Sequence, residues 1–338
     1  MTETLDTAPL LPWLQPHWAW LQQSRAVGRI PPALLIQGPH GLGKTGLARR
    51  WAQALLCRAD TTVSPCGSCP ACRLFAADTH PDYTRVEPAE AGKAIGIESI
   101  RQLIHKLSLK PQYGGYRVVV IEPAHELNIN AANALLKTLE EPSPKTLMVL
   151  ISSAPHQLPI TLLSRCQKLP ILRPDRDTAL AWLASQSLKQ EPTVLLDMAR
   201  GSPLTALALD DTDQLARRNQ TIHALLAVRA GDKDPLQLAS QWEKDFSETT
   251  LEWIMAWINQ LVRLKQGLGH ADTGLATDIP GGPAALQSLS TTDLFACWDL
   301  LLNTRNRMGH NLNITLLLEE LLIRWSQTGR SHTHLPLQ

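Results

Sequence analysis

Three groups of residues in this sequence have types and spacings that can do chemistry. Gly38-Pro39-His40-Gly41-Leu42-Gly43-Lys44-Thr45 matches the G-x4-G-K-[ST] phosphate loop in full. Its glycines let consecutive backbone N–H groups curl around a polyphosphate, and the helix that follows offers its positive end. Lys44 would reach the outer phosphates and Thr45 would place its hydroxyl on Mg²⁺, so ATP or ADP with Mg²⁺ is the implied ligand. The bland alternative is a Gly-rich turn that binds nothing. The second group is Cys57-x8-Cys66-x2-Cys69-x2-Cys72, a tetrahedral S4 set suited to Zn²⁺, with Pro65, Gly67 and Pro70 making tight knuckles. An iron–sulfur cluster, a redox pair or plain buried thiols are the alternatives, and nothing else here suggests electron transfer. Four cysteine ligands close a site, which gives it a role in folding rather than catalysis. The third group is Glu122-Pro123, after the apolar run Val118–Ile121. Phosphate-loop enzymes hold an Asp there to order the Mg²⁺ shell, then often a Glu that activates water. Glu122 can approach a metal on a longer arm, but Pro123 can neither take a proton nor orient water. Such a site holds nucleotide at most.

The elements that must position these groups are legible as patterns. Ala33–Ile36 reads as a buried parallel strand feeding the phosphate loop, and Leu47, Trp51, Ala54 and Leu55 mark one face of the next helix. Residues 1–12 read as a loose tail, and Trp13–Ala26 as a helix with Trp13, Leu14, His17, Trp18 and Leu21 in its stripe. Asp78–Ala94 reads as a polar surface connection, Ile97–Leu109 as an amphipathic helix and Tyr113–Tyr116 as a turn. A second strand is expected over Arg117–His125, a helix over Ala131–Glu141 and a third strand over Thr146–Ser152. That alternation indicates an α/β doubly wound parallel sheet. After Pro174 the strand signals vanish. Short helices are expected over Asp177–Ser187 and Pro192–Ala199, then a bundle over about 213–230, 236–267, 291–307 and 313–327. Trp242, Trp253, Trp257, Trp298 and Trp325 fall in those helices, where core or helix–helix packing is their expected role. Gly267–Pro283 reads as a linker.

Composition excludes several classes. A chain of 338 residues has length for two or three domains, and a net charge of +1 leaves nucleic-acid contact to a local patch. No apolar run reaches the ~18 residues of a membrane span, and the acidic, Pro-rich start is not a signal peptide. A cytoplasmic, reducing setting is expected, so the six cysteines are not read as disulfides. His40, His105 and His223 show no ligand spacing and receive no catalytic role.

Together the phosphate loop, the four cysteines, the helix Ala131–Glu141 with Pro142, the triplet Ser164-Arg165-Cys166 and the helical C-terminal part resemble bacterial clamp-loader subunits of the DNA polymerase III holoenzyme, an AAA+ family. The resemblance covers nearly the whole chain and is strongest between Leu10 and Ser202. It implies an AAA+ phosphate-loop domain over 1–168 with an inserted zinc module at 57–72, a small helical lid over 169–211 and a helical collar for oligomerisation over 212–338. It also implies that Arg165 projects into the ATP site of a neighbouring subunit, where an always-charged planar guanidinium stabilises the transferred phosphoryl group. Cys166 and Cys297 are expected to be packed thiols. Two departures favour the non-hydrolysing stator member of the family over its ATPase member: the degraded acid pair Glu122-Pro123, and Leu204 where Gly201-Ser202-Pro203-Leu204 would otherwise carry a nucleotide-sensing Arg. The implied partners are gamma/tau ATPase subunits and a delta subunit in a five-membered hetero-oligomer, a ring-shaped sliding clamp (beta), and primer–template DNA held without sequence preference. As a holoenzyme subunit the chain would serve DNA-directed DNA polymerisation with weak or absent ATPase of its own. Two other readings stay open: an ATP-hydrolysing gamma/tau-like subunit, and a zinc-containing DNA-binding AAA+ protein.

Overall fold

The computed structural model describes residues 9–59, 65–90, 92–108, 111–113, 115–210, 213–243, 246–267, 289–308 and 313–328. The tail expected over 1–12 lies outside the described residues up to position 8, as does Gly114 of the Tyr113–Tyr116 turn, and so does the Gly267–Pro283 linker from position 268.

Five strands, β1 (Ala33–Gln37), β2 (Tyr83–Val86), β3 (Arg117–Ile121), β4 (Thr146–Ser152) and β5 (Gln167–Pro170), pair side by side in the order β2-β3-β4-β1-β5. Every pairing is parallel, with Leu35 opposite Leu150 and Ile121 opposite Leu150 in register. The three inner strands are buried nearly throughout, which is why they read as continuous apolar runs. Side chains alternate between two cores. Leu34, Ile36, Val118, Val120, Leu147, Val149 and Ile151 pack on one face. There they meet Trp18 and Leu21 of α1 (Gln15–Ala26), Leu47 and Trp51 of α2 (Lys44–Leu56) and Phe75 of α3 (Pro70–Ala76). Ala33, Leu35, Val119, Ile121, Met148 and Leu150 pack on the other. Their partners are Ile100, Leu103 and Leu107 of α4 (Ile97–Ser108), Leu135 and Leu139 of α5 (Ile129–Glu140) and Leu162 of α6 (Ile160–Leu163). The sheet is doubly wound, as the alternation of elements indicates.

Several expectations are corrected. The segment Asp78–Ala94 is not only a surface connection, because β2 lies within it; its residues are mostly half-exposed, so it carries no apolar run. The second strand stops at Ile121, and Ala124–Glu126 forms a single 3-10 turn. Beyond these, α6 and the edge strand β5, whose burial is confined to Leu169, flank the Ser164-Arg165-Cys166 triplet.

Contact clustering divides the chain into two compact units. The first runs to Leu188 and takes in Gly201–Leu207; the second comprises Lys189–Arg200 and continues from Ala208. Residues 169–211 are therefore shared. α7 (Arg176–Ala184) sets Trp182 edge-on against Trp13, 5.4 Å between centroids, in the first unit. In the second, the Asp210 carboxylate accepts from the N–H groups of Lys189 and Gln190, which lead into α8 (Pro192–Met198). α9 (Pro203–Asp210) spans the boundary.

The second unit is helical: α10 (Gln214–Ala230), α11 (Pro235–Trp242), α12 (Glu248–Lys265), α13 (Thr291–Met308) and α14 (Ile314–Gln327). The single helix expected over 236–267 is two. α11 stops at Trp242, and Ser247 caps the start of α12 through a reciprocal hydrogen-bonded box with Thr250. Trp257 and Trp325 are fully enclosed, and the Trp325 indole N–H donates to the Leu225 carbonyl at 2.7 Å. Trp242 and Trp298 pack against the same core. These are packing roles, as expected for these four tryptophans; Trp253 is half-buried and not part of that core.

Candidate functional site

The phosphate loop follows β1 and wraps into α2. Its start is tied to the end of β4, where the Gly38 N–H donates to the Ser152 carbonyl at 3.1 Å. Gly41 and Gly43 both have positive φ, 74° and 82°, and Gly43 caps α2 in the left-handed conformation. Gly41 excludes a side chain for a second reason. A Cβ at Gly41 would collide with the Thr205 hydroxyl and backbone nitrogen, whereas one at Gly43 would meet only the movable end of the Leu11 side chain, so at Gly43 the backbone conformation is the main constraint. The loop carbonyls are held from outside: Leu204 N–H donates to Gly41 O at 3.1 Å, and the Trp13 indole N–H to Leu42 O at 3.0 Å. The Leu204 side chain also packs beside Gly43, so an apolar group occupies the place where the resemblance expects a cation.

Lys44 is buried and its ammonium donates to the Pro39 carbonyl at 2.6 Å. Burial lowers its pKa and the nearby Glu122 carboxylate opposes that. The Thr45 hydroxyl donates to Glu122 Oε1, which joins the loop to the end of β3 across 77 positions of sequence. The other oxygen of Glu122 accepts no hydrogen bond among the described residues and lies 3.7 Å from Arg85 on β2. Arg85 also pairs with Glu87 at 2.9 Å. A cavity of about 310 Å³ opens here, lined by Arg85, Glu122, Pro123 and Glu126 among others. The loop, Lys44, Thr45 and Glu122 thus converge as a phosphate- and Mg²⁺-binding set would, and Pro123 lines the adjoining space without a group that could move a proton.

Sequence reasoning passed over His125. Its ring lies 3.3 Å from the Ser152 hydroxyl and 3.5 Å from that of Ser153, so it bridges the ends of β3 and β4 beside the loop. Burial lowers its pKa, and of the neighbouring charges Glu126 raises it while Lys44 and His156 lower it. The available signal was position: His125 lies three residues after the acid at a strand's C-terminal end, where α/β proteins bind ligands.

The four cysteines come together. Their sulfurs all lie within 4.8 Å of one another, with Cys57–Cys66 at 3.6 Å and Cys57–Cys69 and Cys66–Cys72 both at 4.0 Å. Disulfide sulfurs would be about 2.05 Å apart. A tetrahedral ion with metal–sulfur bonds of about 2.3 Å holds its sulfurs about 3.8 Å apart, so the set fits a metal ion bound by four thiolates. Backbone N–H groups of Cys66, Cys69 and Cys72 point at the preceding sulfurs over 3.3–3.5 Å and would steady the thiolates. The N–H of Cys69, then that of Ser68, holds the Cys66 thiol down at about 6, while burial pushes Cys72 up. The Phe75 ring of α3 lies tilted against Tyr83 of β2, 4.7 Å between centroids, and fastens this segment to the sheet. Cys166 and Cys297 are buried, and burial pushes each thiol up to about 11, as packed thiols require.

Arg165 stands in the turn between α6 and β5. Its guanidinium bonds Glu140, Thr161 and Ser164, none of them part of its own phosphate loop.

A doubly wound parallel sheet with a phosphate loop at the end of its first strand, followed by a helical unit, defines a phosphate-loop protein. Family models described as "DNA polymerase III, delta subunit" and "DNA polymerase III, delta subunit, C terminal" match residues 14–175 and 212–327. DNA polymerase III subunit delta' of Pseudomonas aeruginosa is 37% identical over 330 residues, 94% of this chain and 98% of that relative. The subunit of the same name from Escherichia coli K12 is 33% identical over 319 residues, 93% and 94% of the two chains. DNA polymerase III subunit tau of Escherichia coli K12 is 32% identical over 247 residues, 71% of this chain but 38% of tau. The chain belongs to the family of DNA polymerase III delta' subunits. No described helix is long and apolar enough to cross a membrane.

Proposed function

We propose that this chain is the stator subunit of a clamp loader: it holds an arc of subunits, donates Arg165 to a neighbour's ATP site and helps open a ring-shaped sliding clamp on primed DNA. In this reading the sheet unit carries the phosphate loop and the metal module, residues 169–211 act as the lid and 212–338 as the collar that joins gamma/tau and delta subunits. DNA contact runs through backbone phosphates and so is independent of sequence. The cysteine set holds structural Zn²⁺ through Cys57, Cys66, Cys69 and Cys72. Gly38, Gly41, Gly43, Lys44 and Thr45, with Glu122 toward Mg²⁺, hold ATP or ADP without turning it over.

The observation that carries this reading is Pro123 beside the Thr45–Glu122 pair. The metal-side groups converge, but the adjoining position offers no base, and Leu204 adds no cation over the loop. Catalysis of phosphoryl transfer rests on placing charge and orienting the nucleophile; Lys44, Thr45 and Glu122 serve the first, but Pro123 supplies no base and Leu204 no sensing cation. Arg165, in contrast, is a third exposed on a turn and bonds Glu140, Thr161 and Ser164, none of them in its own loop. The test is ATP turnover by the purified chain, with and without clamp and primed DNA. Negligible turnover is expected. Turnover of about one per second or more, the scale of working enzymes, would assign the chain to the hydrolysing subunits instead.

A further inference from the structure

We propose that Glu140 is a latch on Arg165: the carboxylate holds the arginine folded on its own chain, and a neighbour's nucleotide phosphate must displace it. This rests on the trans role assigned to Arg165. Glu140 is the last residue of α5, where the helix dipole already presents partial negative charge, so a carboxylate there needs a cation. Arg165 supplies it. Its Nε donates to Glu140 Oε1 at 2.8 Å, and a second nitrogen donates to the same oxygen. The remaining nitrogen donates to the Thr161 carbonyl at 2.8 Å and weakly to the Ser164 hydroxyl at 3.4 Å.

All three nitrogens of the fork are therefore engaged within the chain. A guanidinium can present its planar fork to a phosphate only by giving up these acceptors. The exchange is anion for anion: carboxylate is released as phosphate is gained, and Glu140 is left at the helix end without its partner. The other ionisable group in the last turn of α5 is Lys137, one turn back on the same helix. Because Glu140 is half-exposed and Arg165 a third exposed, the pair is weak enough to open. Arg165 then engages only when a phosphate is in place to compete. Glu140 touches no reacting atom and is a positioning residue.

The test uses the reconstituted assembly of full chains, comparing Glu140→Ala, Glu140→Gln and Glu140→Asp with Arg165→Ala. Glu140→Ala and Glu140→Gln are expected to raise hydrolysis in the absence of clamp and DNA by roughly two- to fivefold, the population shift that a half-exposed ion pair permits. Glu140→Asp, which keeps the charge on a shorter arm, should fall between them and the parent. The gain should vanish when Arg165→Ala is added, which separates a latch from a general loosening of α5. Unchanged rates in Glu140→Ala and Glu140→Gln overturn the latch. A fall toward the Arg165→Ala level also overturns it, since Glu140 would then be aiming the arginine. If Arg165→Ala by itself leaves hydrolysis untouched, it is the trans role that fails.

Discussion

Arg165 and Pro123 decide between a donor of catalysis and a catalyst, and both can be tested one residue at a time. Arg165→Ala removes a partly exposed ion pair, so folding stability should change by no more than about 1 kcal/mol and metal content not at all. In the assembled complex, the site that loses its trans cation should slow by about 10³-fold or more, so clamp- and DNA-stimulated hydrolysis falls. Arg165→Lys should recover little, because an ammonium cannot reproduce a two-pronged contact. Equal clamp-loading rates for the parent and Arg165→Ala assemblies would remove the role. Restoring an acid with Pro123→Glu should not create turnover in the isolated chain. Leu204 still packs against the loop in place of a sensing cation, and the neighbour's arginine is still missing. A variant that hydrolyses ATP freely would show that Pro123 was the sole block.

At the scale of an element, the segment from Cys57 to α3 depends on its sulfurs. Its one large enclosed apolar side chain among the described residues is Phe75, against Tyr83 and under the Arg49 guanidinium at 5.4 Å, with the small Ala71 buried beside it in the same helix. One aromatic contact does little to order knuckles at Gly67 and Pro70, and a metal held by the four sulfurs would supply the rest. One tightly held Zn²⁺ per chain is expected by elemental analysis. Chelation should raise hydrogen exchange between Cys57 and Phe75 while protection in β1, β3 and β4 persists. Cys72→Ser should lose the metal without unfolding the sheet. Four freely titrating thiols in metal-free native protein would contradict this. Another element depends on a buried acid. Asp82 leads into β2 and its carboxylate accepts from the N–H groups of Gln112 and Tyr113, both at 2.9 Å. Asp82→Ala should cost about 1–3 kcal/mol by leaving those donors unpaired, readable in denaturant unfolding.

Across the whole molecule there are two separate stores of apolar packing, the two faces of the sheet and the helical core around Trp257 and Trp325. Trp257→Ala should destabilise the second unit by about 3–5 kcal/mol through the cavity it leaves. Metal content and nucleotide binding, which draw on the first unit, should be unchanged. If both fall together, the two units do not act as separate folding reserves. Complex formation in the Arg165→Ala protein should persist, because the collar reading places assembly in residues 212–338; loss of assembly would move that role to the sheet unit.

What the sequence determined by itself is local in the chain. The phosphate loop and Cys66, Cys69 and Cys72 lie close together in the chain, so glycine conformations, a helix start and two C-x2-C turns predispose their geometry locally, while Cys57 comes in from the end of α2. The inner strands and α2, α4 and α5 were legible because burial on both faces, or on one helical stripe, writes itself into residue type. The edge strands β2 and β5 were not, since half of each faces solvent and the apolar signal disappears. The helix break at Ser247 turned on a cap rather than on Gly or Pro, and apolar periodicity runs across such a cap unaltered. Only the tertiary structure decided the rest. The sheet order placed Glu122 against Thr45 and His125 against Ser152, and the packing of α6 on α5 placed Arg165 against Glu140, 25 residues away. Nothing in the spacing of those pairs encodes their meeting. They meet because parallel strands bring their C-terminal ends to one edge of the sheet and the helices between them pack back on its faces.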